Sequence, residues 1–189
     1  MFRVSVGEYI KKLQKVGNFV KGRHSNFNDV ISYLLSKNID FILIGGLAVS
    51  HYSPPRFTED VDILLENELE LEKLKGVTSE VKWNRKHCFL FKGMEVEVLT
   101  PEFLSLPGVV NSYIFKTKVS QGDFLIPSVE GVLLLKLHSL RDKDKEDINS
   151  VVKTQGKTID FDAVRNLTSK EGKDYLEKTI GNLQKYLDD

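Results

Sequence analysis

Residues 41–65 read FILIGGLAVSHYSPPRFTEDVDILL. An unbroken apolar run, Phe41 to Ile44, meets Gly45 and Gly46, and after thirteen intervening residues Asp60 and Asp62 flank a single valine. The apolar run reads as a buried strand, Ala48 to Tyr52 as a short helix stopped by Pro54 and Pro55, and Val61 to Leu65 as a second strand. Alternate side chains of a strand share a face, so Asp60 and Asp62 point one way while Val61 and Ile63 point into the core. Two carboxylates side by side repel each other unless a cation sits between them, and hard divalent ions such as Mg²⁺ take oxygen ligands. An isolated Asp-x-Asp also decorates solvated sheet edges, so the metal reading depends on its neighbours.

Three neighbours support it. Gly45 and Gly46 end a buried strand where a helix begins, which lets backbone N–H groups approach a phosphate beside a helix N-terminus; the plainer reading is a tight turn. The stretch GMEVEVL, residues 93–99, alternates again, with Met94, Val96 and Val98 inward and Glu95 and Glu97 on the opposite face. Either glutamate supplies a third carboxylate. Arg56 and Thr58 offer a cation and a hydroxyl at the mouth of the same site.

The rest of the chain fits around this segment. A length of 189 residues with 41% apolar content makes about one domain with a real core. No apolar stretch reaches the roughly 18 residues of a membrane span, and the N-terminal residues lack a secretory apolar block. A cytoplasmic protein is expected. The single cysteine, Cys88, excludes an intrachain disulfide and a cysteine cluster for zinc, and reads as a small buried hydrophobe. With 27 basic and 27 acidic residues, the chain is not one that coats nucleic acid by bulk charge. Residues 1–39 are locally basic, with seven Lys/Arg against Glu8 and Asp29, and read as a solvated helix face.

Further elements follow from periodicity. Phe27 to Leu35 has helical spacing, with Ser25 or Asn26 as its cap. Strands are expected at Val77 to Trp83, His87 to Phe91, Met94 to Leu99 and Tyr113 to Val119, with an acidic helix, ENELELEKLK, before the first of them. From Ser128, an N-cap, the run VEGVLLLKLHSL and the stretches around Ile148, Val164 and Leu183 read as helices. The expected organisation is an α+β (mixed α/β) core with N-terminal helices over residues 1–126 and a helical region packed on it over residues 127–189.

The combination of an apolar residue, Gly45-Gly46, a spacer, Asp60-Val61-Asp62-Ile63 and then Val96-Glu97-Val98 resembles the DNA polymerase beta-like nucleotidyltransferase superfamily. Within it, the segment looks most like the small prokaryotic members that include toxin and antibiotic-modifying enzymes. The later run KLHSLRDKDKEDI, with Lys136, Arg141, Asp144 and Asp147, is similar to their helical motif. The resemblance covers roughly residues 26–150 and departs at Gly46, where a serine is common, and at Glu97, where an aspartate is commoner. It implies a nucleotidyltransferase fold, a mixed sheet flanked by helices and followed by a helical region. It also implies transfer of a nucleoside monophosphate from an NTP such as ATP to an acceptor hydroxyl with loss of pyrophosphate. Asp60, Asp62 and Glu97 would then be the catalytic, Mg²⁺-binding (or Mn²⁺-binding) carboxylates. Gly45, Gly46, Arg56, Thr58 and Lys136 would bind the nucleotide. The acceptor stays open among a small molecule, a tRNA end and a protein side chain, and a toxin–antitoxin partner is one implied association. The alternative is an inactive nucleotide sensor or partner-binding module of the same fold.

Plainer readings stand beside several of these residues. Lys136 lies in an apolar helix from which its stem would snorkel to the surface, and Arg141 with Asp144 reads as an i,i+3 surface pair. Rival enzyme classes fit worse. The GGLAVS turn lacks the third glycine of a dinucleotide fingerprint, and no Walker-type Gly-Lys-Ser/Thr occurs. No G-x-S-x-G elbow supports a hydrolase triad around Ser50 and His51, and His24, His51, His87 and His138 lack zinc-site spacing.

Overall fold

Alternation within the short strands builds a sheet whose two faces are both covered, as the computed structural model shows. It describes residues 24–54, 56, 58, 60–121 and 123–187. Most of the basic stretch at residues 1–39, and any helix before His24, lies outside the described residues. The first helix, α1 (His24–Ser36), precedes β1 (Ile42–Leu43), α2 (Gly45–Tyr52) and β2 (Asp60–Leu64). Then come α3 (Glu68–Val77), β3 (Lys82–Arg85), β4 (Cys88–Phe91), β5 (Met94–Leu99), α4 (Gly108–Thr117), β6 (Val119–Gln121) and β7 (Phe124–Ile126). The chain continues with α5 (Val129–Ser139), α6 (Asp142–Gln155), a 3₁₀ turn at Gly156–Thr158, α7 (Phe161–Leu167) and α8 (Lys170–Leu187).

The seven strands lie in the order β3-β4-β5-β2-β1-β7-β6. The sheet is mixed: β2 runs parallel to β5 and β1 parallel to β7, while the other neighbours are antiparallel. One face carries Leu43, Val61, Ile63, Val96 and Val98, packed under Val30, Ile31 and Leu34 of α1 and Leu71 and Leu74 of α3. The opposite face carries Ile42, Ile44, Leu64 and Leu99 under residues of α2 and α4 to α8, such as Val49, Ile114, Leu133 and Ile148. Because period-2 alternation is strict, Asp60 and Asp62 share the face of Leu64, and Glu95 and Glu97 that of Leu99. The carboxylates therefore stand on the side facing α2, α5 and α6. Cys88 is buried, as expected.

Four local expectations are corrected. Val77 ends α3 rather than opening a strand, because Leu71 and Leu74 keep the helix seated and the Thr78 hydroxyl donates to the Leu74 carbonyl at 2.6 Å; β3 starts only at Lys82. Tyr113 lies in α4, where Val110 and Ile114, four residues apart, are buried against α5, and only Val119 of the expected strand pairs. Helical spacing here overrides a β-branched composition. Helix α1 extends back to His24, so Ser25 and Asn26 fall within its first turn. Gly45 and Gly46 are the first residues of α2, which starts before Ala48. The Ser128 cap is as expected, its hydroxyl accepting from the Gly131 N–H at 3.2 Å.

Candidate active site

Strand pairing fixes the site. In the parallel register Asp62 lies opposite Glu97 and Asp60 opposite Glu95, on adjacent strands and one face. Glu95 turns to Arg85 at 2.6 Å, whereas Glu97 joins Asp60 and Asp62 in lining a cavity of about 320 Å³. Glu97 is thus the third carboxylate of the cavity. The other sequence-predicted residues, Gly45, Gly46, Arg56, Thr58 and Lys136, line the same cavity.

The glycine turn is shaped by the carboxylates. The Ile44 N–H donates to the Asp62 carbonyl at 2.9 Å, which brings the start of α2 against β2. Gly45 has φ +66°, and a Cβ there would collide with the Asp62 carboxylate. A Cβ on Gly46 would meet Thr58 at 3.1 Å and the Arg56 guanidinium carbon at 3.2 Å. Gly45 thus excludes a side chain by both close approach and its left-handed backbone, whereas a side chain at Gly46 would require Thr58 and Arg56 to give way slightly.

Electrostatics mark Asp62. Burial, with the nearby charges of Asp60 and Glu97, pushes its pKa up to about 7, while Lys136 and Lys143 pull the other way. Thr58 donates to Asp60 Oδ1 at 2.7 Å. Among the described residues no group of three or more His, Cys, Asp or Glu side chains is placed so as to hold a metal ion. The donor chemistry is still of the kind a hard cation takes: three carboxylates share one face, and one of them is destabilised when ionised.

Beside the carboxylates lies a buried ion-pair network. Arg56 grips Asp147 with both arms of its guanidinium, Nε to Oδ1 at 2.6 Å and Nη2 to Oδ2 at 2.9 Å. Lys136 Nζ sits 2.8 Å from both Asp144 and Asp147. Lys136 is 7% exposed, so its stem does not reach the surface. Asp144 is fully buried and also accepts from Ser139 and from the Arg141 backbone N–H and guanidinium, which satisfies the N–H that precedes α6. The Arg141–Asp144 pair is thus the expected i,i+3 pair, but only its arginine lies at the surface. Burial alone would raise the Asp144 pKa, but hydrogen bonds from Arg141, Lys136 and Ser139 outweigh it and hold the carboxyl well below the usual range.

Sequence reasoning did not assign Asp147 its role as the anchor of both Arg56 and Lys136, nor did it single out Lys143, Phe103 or His138, which line the cavity or its wall. Helical spacing puts Asp144 and Asp147 on one side of α6, a usable signal; their partners depend on how α5 packs on α6.

A mixed sheet bearing a carboxylate pair, a third carboxylate on the neighbouring strand and a glycine turn between strand and helix defines a protein of nucleotidyltransferase type. Residues 24–186 match the family described as nucleotidyltransferase of unknown function (DUF6036), and the chain belongs to that family. Among solved structures it is similar to an antigenic nucleotidyltransferase-like protein from Paracoccidioides brasiliensis. The two are 17% identical, with 98% of this chain and 94% of the other covered and a TM-score of 0.57. It is also similar to ANT(2")-Ia, solved in complex with adenylyl-2"-tobramycin, at 10% identity over 80% of this chain and 95% of that one, with a TM-score of 0.50. At these identities the likeness is one of fold. No curated protein matches the chain in sequence. Among the described residues no helix is long and apolar enough to cross a membrane.

Proposed function

We propose that this chain is a metal-dependent nucleotidyltransferase, moving a nucleoside monophosphate from an NTP to an acceptor hydroxyl in the cytoplasm. The observation that carries the reading is the convergence of Asp60, Asp62 and Glu97 with the Gly45–Gly46 turn on one cavity. Asp60, Asp62 and Glu97 would hold Mg²⁺ or Mn²⁺, which when bound supplies Lewis-acid stabilisation of triphosphate charge and of the ionised acceptor oxygen. The glycines leave room for phosphate oxygens against the first backbone N–H groups of α2. Arg56, fixed by Asp147, and Lys136 set positive charge beside the position of the leaving pyrophosphate. Glu97 takes the acceptor proton; the acceptor oxygen bonds to the α-phosphorus as the bond from that phosphorus to the pyrophosphate oxygen breaks.

The test is release of pyrophosphate when the chain is incubated with each NTP, Mg²⁺ and a panel of hydroxyl acceptors, read together with melting temperature. Release with one NTP and a labelled acceptor supports the transferase. Stabilisation by Mg²⁺–NTP with no release across the panel and cell extract would assign the chain to the nucleotide-sensing alternative.

A further inference from the structure

The cavity has a second half that nucleotide chemistry does not use. Across the sheet, Gly45 and Gly46 lie on the β1 side of the two aspartates and Glu97 lies on the β5 side. Beyond Glu97 the same face of β5 continues as Leu99, and the loop that follows brings Phe103 and Leu104 to the cavity opposite Leu135 of α5.

This wall is held in place. His138 Nε2 donates to the Leu104 carbonyl at 2.9 Å, tying the loop to the end of α5. The Phe103 N–H donates to the Thr100 hydroxyl at 3.2 Å, and that hydroxyl donates to Glu68 at 2.6 Å. Phe103 is 52% exposed, yet its ring rests on His87 with centroids 4.2 Å apart, and His87 is buried with Nδ1 donating to the Val98 carbonyl. A half-exposed aromatic face fixed in this way binds a flat partner at little ordering cost.

Charge narrows the partner further. Of the described carboxylates lining the cavity, Asp60, Asp62 and Glu97 crowd together, and Asp144 is fully buried among its own donors. The wall's own residues, Leu99, Phe103, Leu104 and Leu135, carry no carboxylate for an ammonium group; Glu97 borders it, and Arg141 and Lys143 line the same cavity. Two polar side chains of α5 that line the cavity are already engaged, His138 Nε2 with the Leu104 carbonyl and Ser139 Oγ with Asp144. The polar edges of a nucleobase would be left unpaired against Leu104 and Leu135.

We propose that this wall is the acceptor subsite and that it takes a hydroxyl carried on an uncharged aryl body, a phenol of the tyrosine type, rather than a polycation. The proposal rests on the transferase reading for the word acceptor. In the implied step the phenolic oxygen bonds to the α-phosphorus, its proton passes to Glu97 and pyrophosphate leaves.

The preference is tested without nucleotide, by saturation-transfer NMR on the full chain with N-acetyl-L-tyrosinamide, uridine and tobramycin as probes. The expected result is binding of the tyrosinamide through its ring, weakened about tenfold by Phe103→Ala and retained by Phe103→Trp. Leu135→Asn, on the facing helix, is expected to weaken it as well. Equal or tighter binding of tobramycin or uridine, or tyrosinamide binding indifferent to both Phe103→Ala and Leu135→Asn, overturns the proposal. The two readings fail separately: absence of stabilisation by Mg²⁺–NTP removes the transferase reading, whereas the probe ranking decides the chemistry of the wall.

Discussion

Replacing Asp144 by asparagine tests the buried network that positions the cavity. The carboxylate is fully buried and accepts from Lys136 Nζ at 2.8 Å, from Ser139 and from the Arg141 N–H, Nε and Nη2 at 3.2, 2.7 and 3.3 Å. An amide keeps one acceptor and turns an NH₂ group toward the remaining donors. Breaking a buried ion pair from one side costs about 3–5 kcal/mol. Asp147 still pairs with Lys136, and the Arg141 side chain is largely exposed to water, so the lower end, about 3 kcal/mol, is expected. The pH dependence gives a second signature. Because the folded carboxyl is held below its unfolded value, its contribution is complete above about pH 4 and is lost as pH falls. Wild type should lose roughly 1 kcal/mol from this group between pH 6 and pH 3, and the variant should not, so the gap narrows. Urea unfolding followed by the fluorescence of Trp83, the single tryptophan, together with far-UV circular dichroism, measures both quantities. A gap below 1 kcal/mol at pH 6, or one that widens toward pH 3, would refute the reasoning.

Asp62→Asn is expected to raise the melting temperature of the metal-free protein while abolishing transfer. The gain should grow as pH rises from about 4 to about 7 and level off above that, because over this range the unfolded chain ionises the carboxyl and the folded wild type does not; a gain that shrinks across the same range would contradict the assigned crowding. Gly45→Ala should destabilise by roughly 2–3 kcal/mol through its left-handed backbone and the collision with Asp62. Gly46→Ala should cost less, since Thr58 and Arg56 need give only a few tenths of an ångström, and urea midpoints order the two. Glu97→Gln should keep part of the stabilisation by Mg²⁺–NTP, because Asp60 and Asp62 remain, and lower transfer by roughly 10²–10⁴, a split checked by thermal shift beside pyrophosphate release.

What could be read in the sequence follows the range of the forces involved. Strict alternation put Asp60, Asp62 and Glu97 on one face of neighbouring strands, because a strand's period is a local property and both strands carry it. The same kind of local argument failed at Tyr113 and Val77, where a β-branched composition is outweighed by the apolar surface that Ile114 and Leu74 bury as helical residues. Asp147 illustrates a different loss. Nothing near it in sequence suggests that it anchors Arg56, ninety-one positions away, because that pairing exists only once α6 lies beside the loop after α2.

The same distinction explains how the chain tolerates an unbalanced carboxylate cluster. Asp62 is buried and crowded by Asp60 and Glu97, so its ionisation is opposed in the metal-free fold. The cations that ease this, Lys136 and Lys143, come from α5 and α6, and Lys136 is itself fixed by Asp144 and Asp147. The positive charge is therefore supplied by the second helical layer, and it lowers the Asp62 pKa by less than burial, Asp60 and Glu97 together raise it. That leaves one face of the cluster still short of positive charge. A residual deficit of that kind is what a hard divalent ion requires, since a carboxylate already satisfied by lysine would bind it less well.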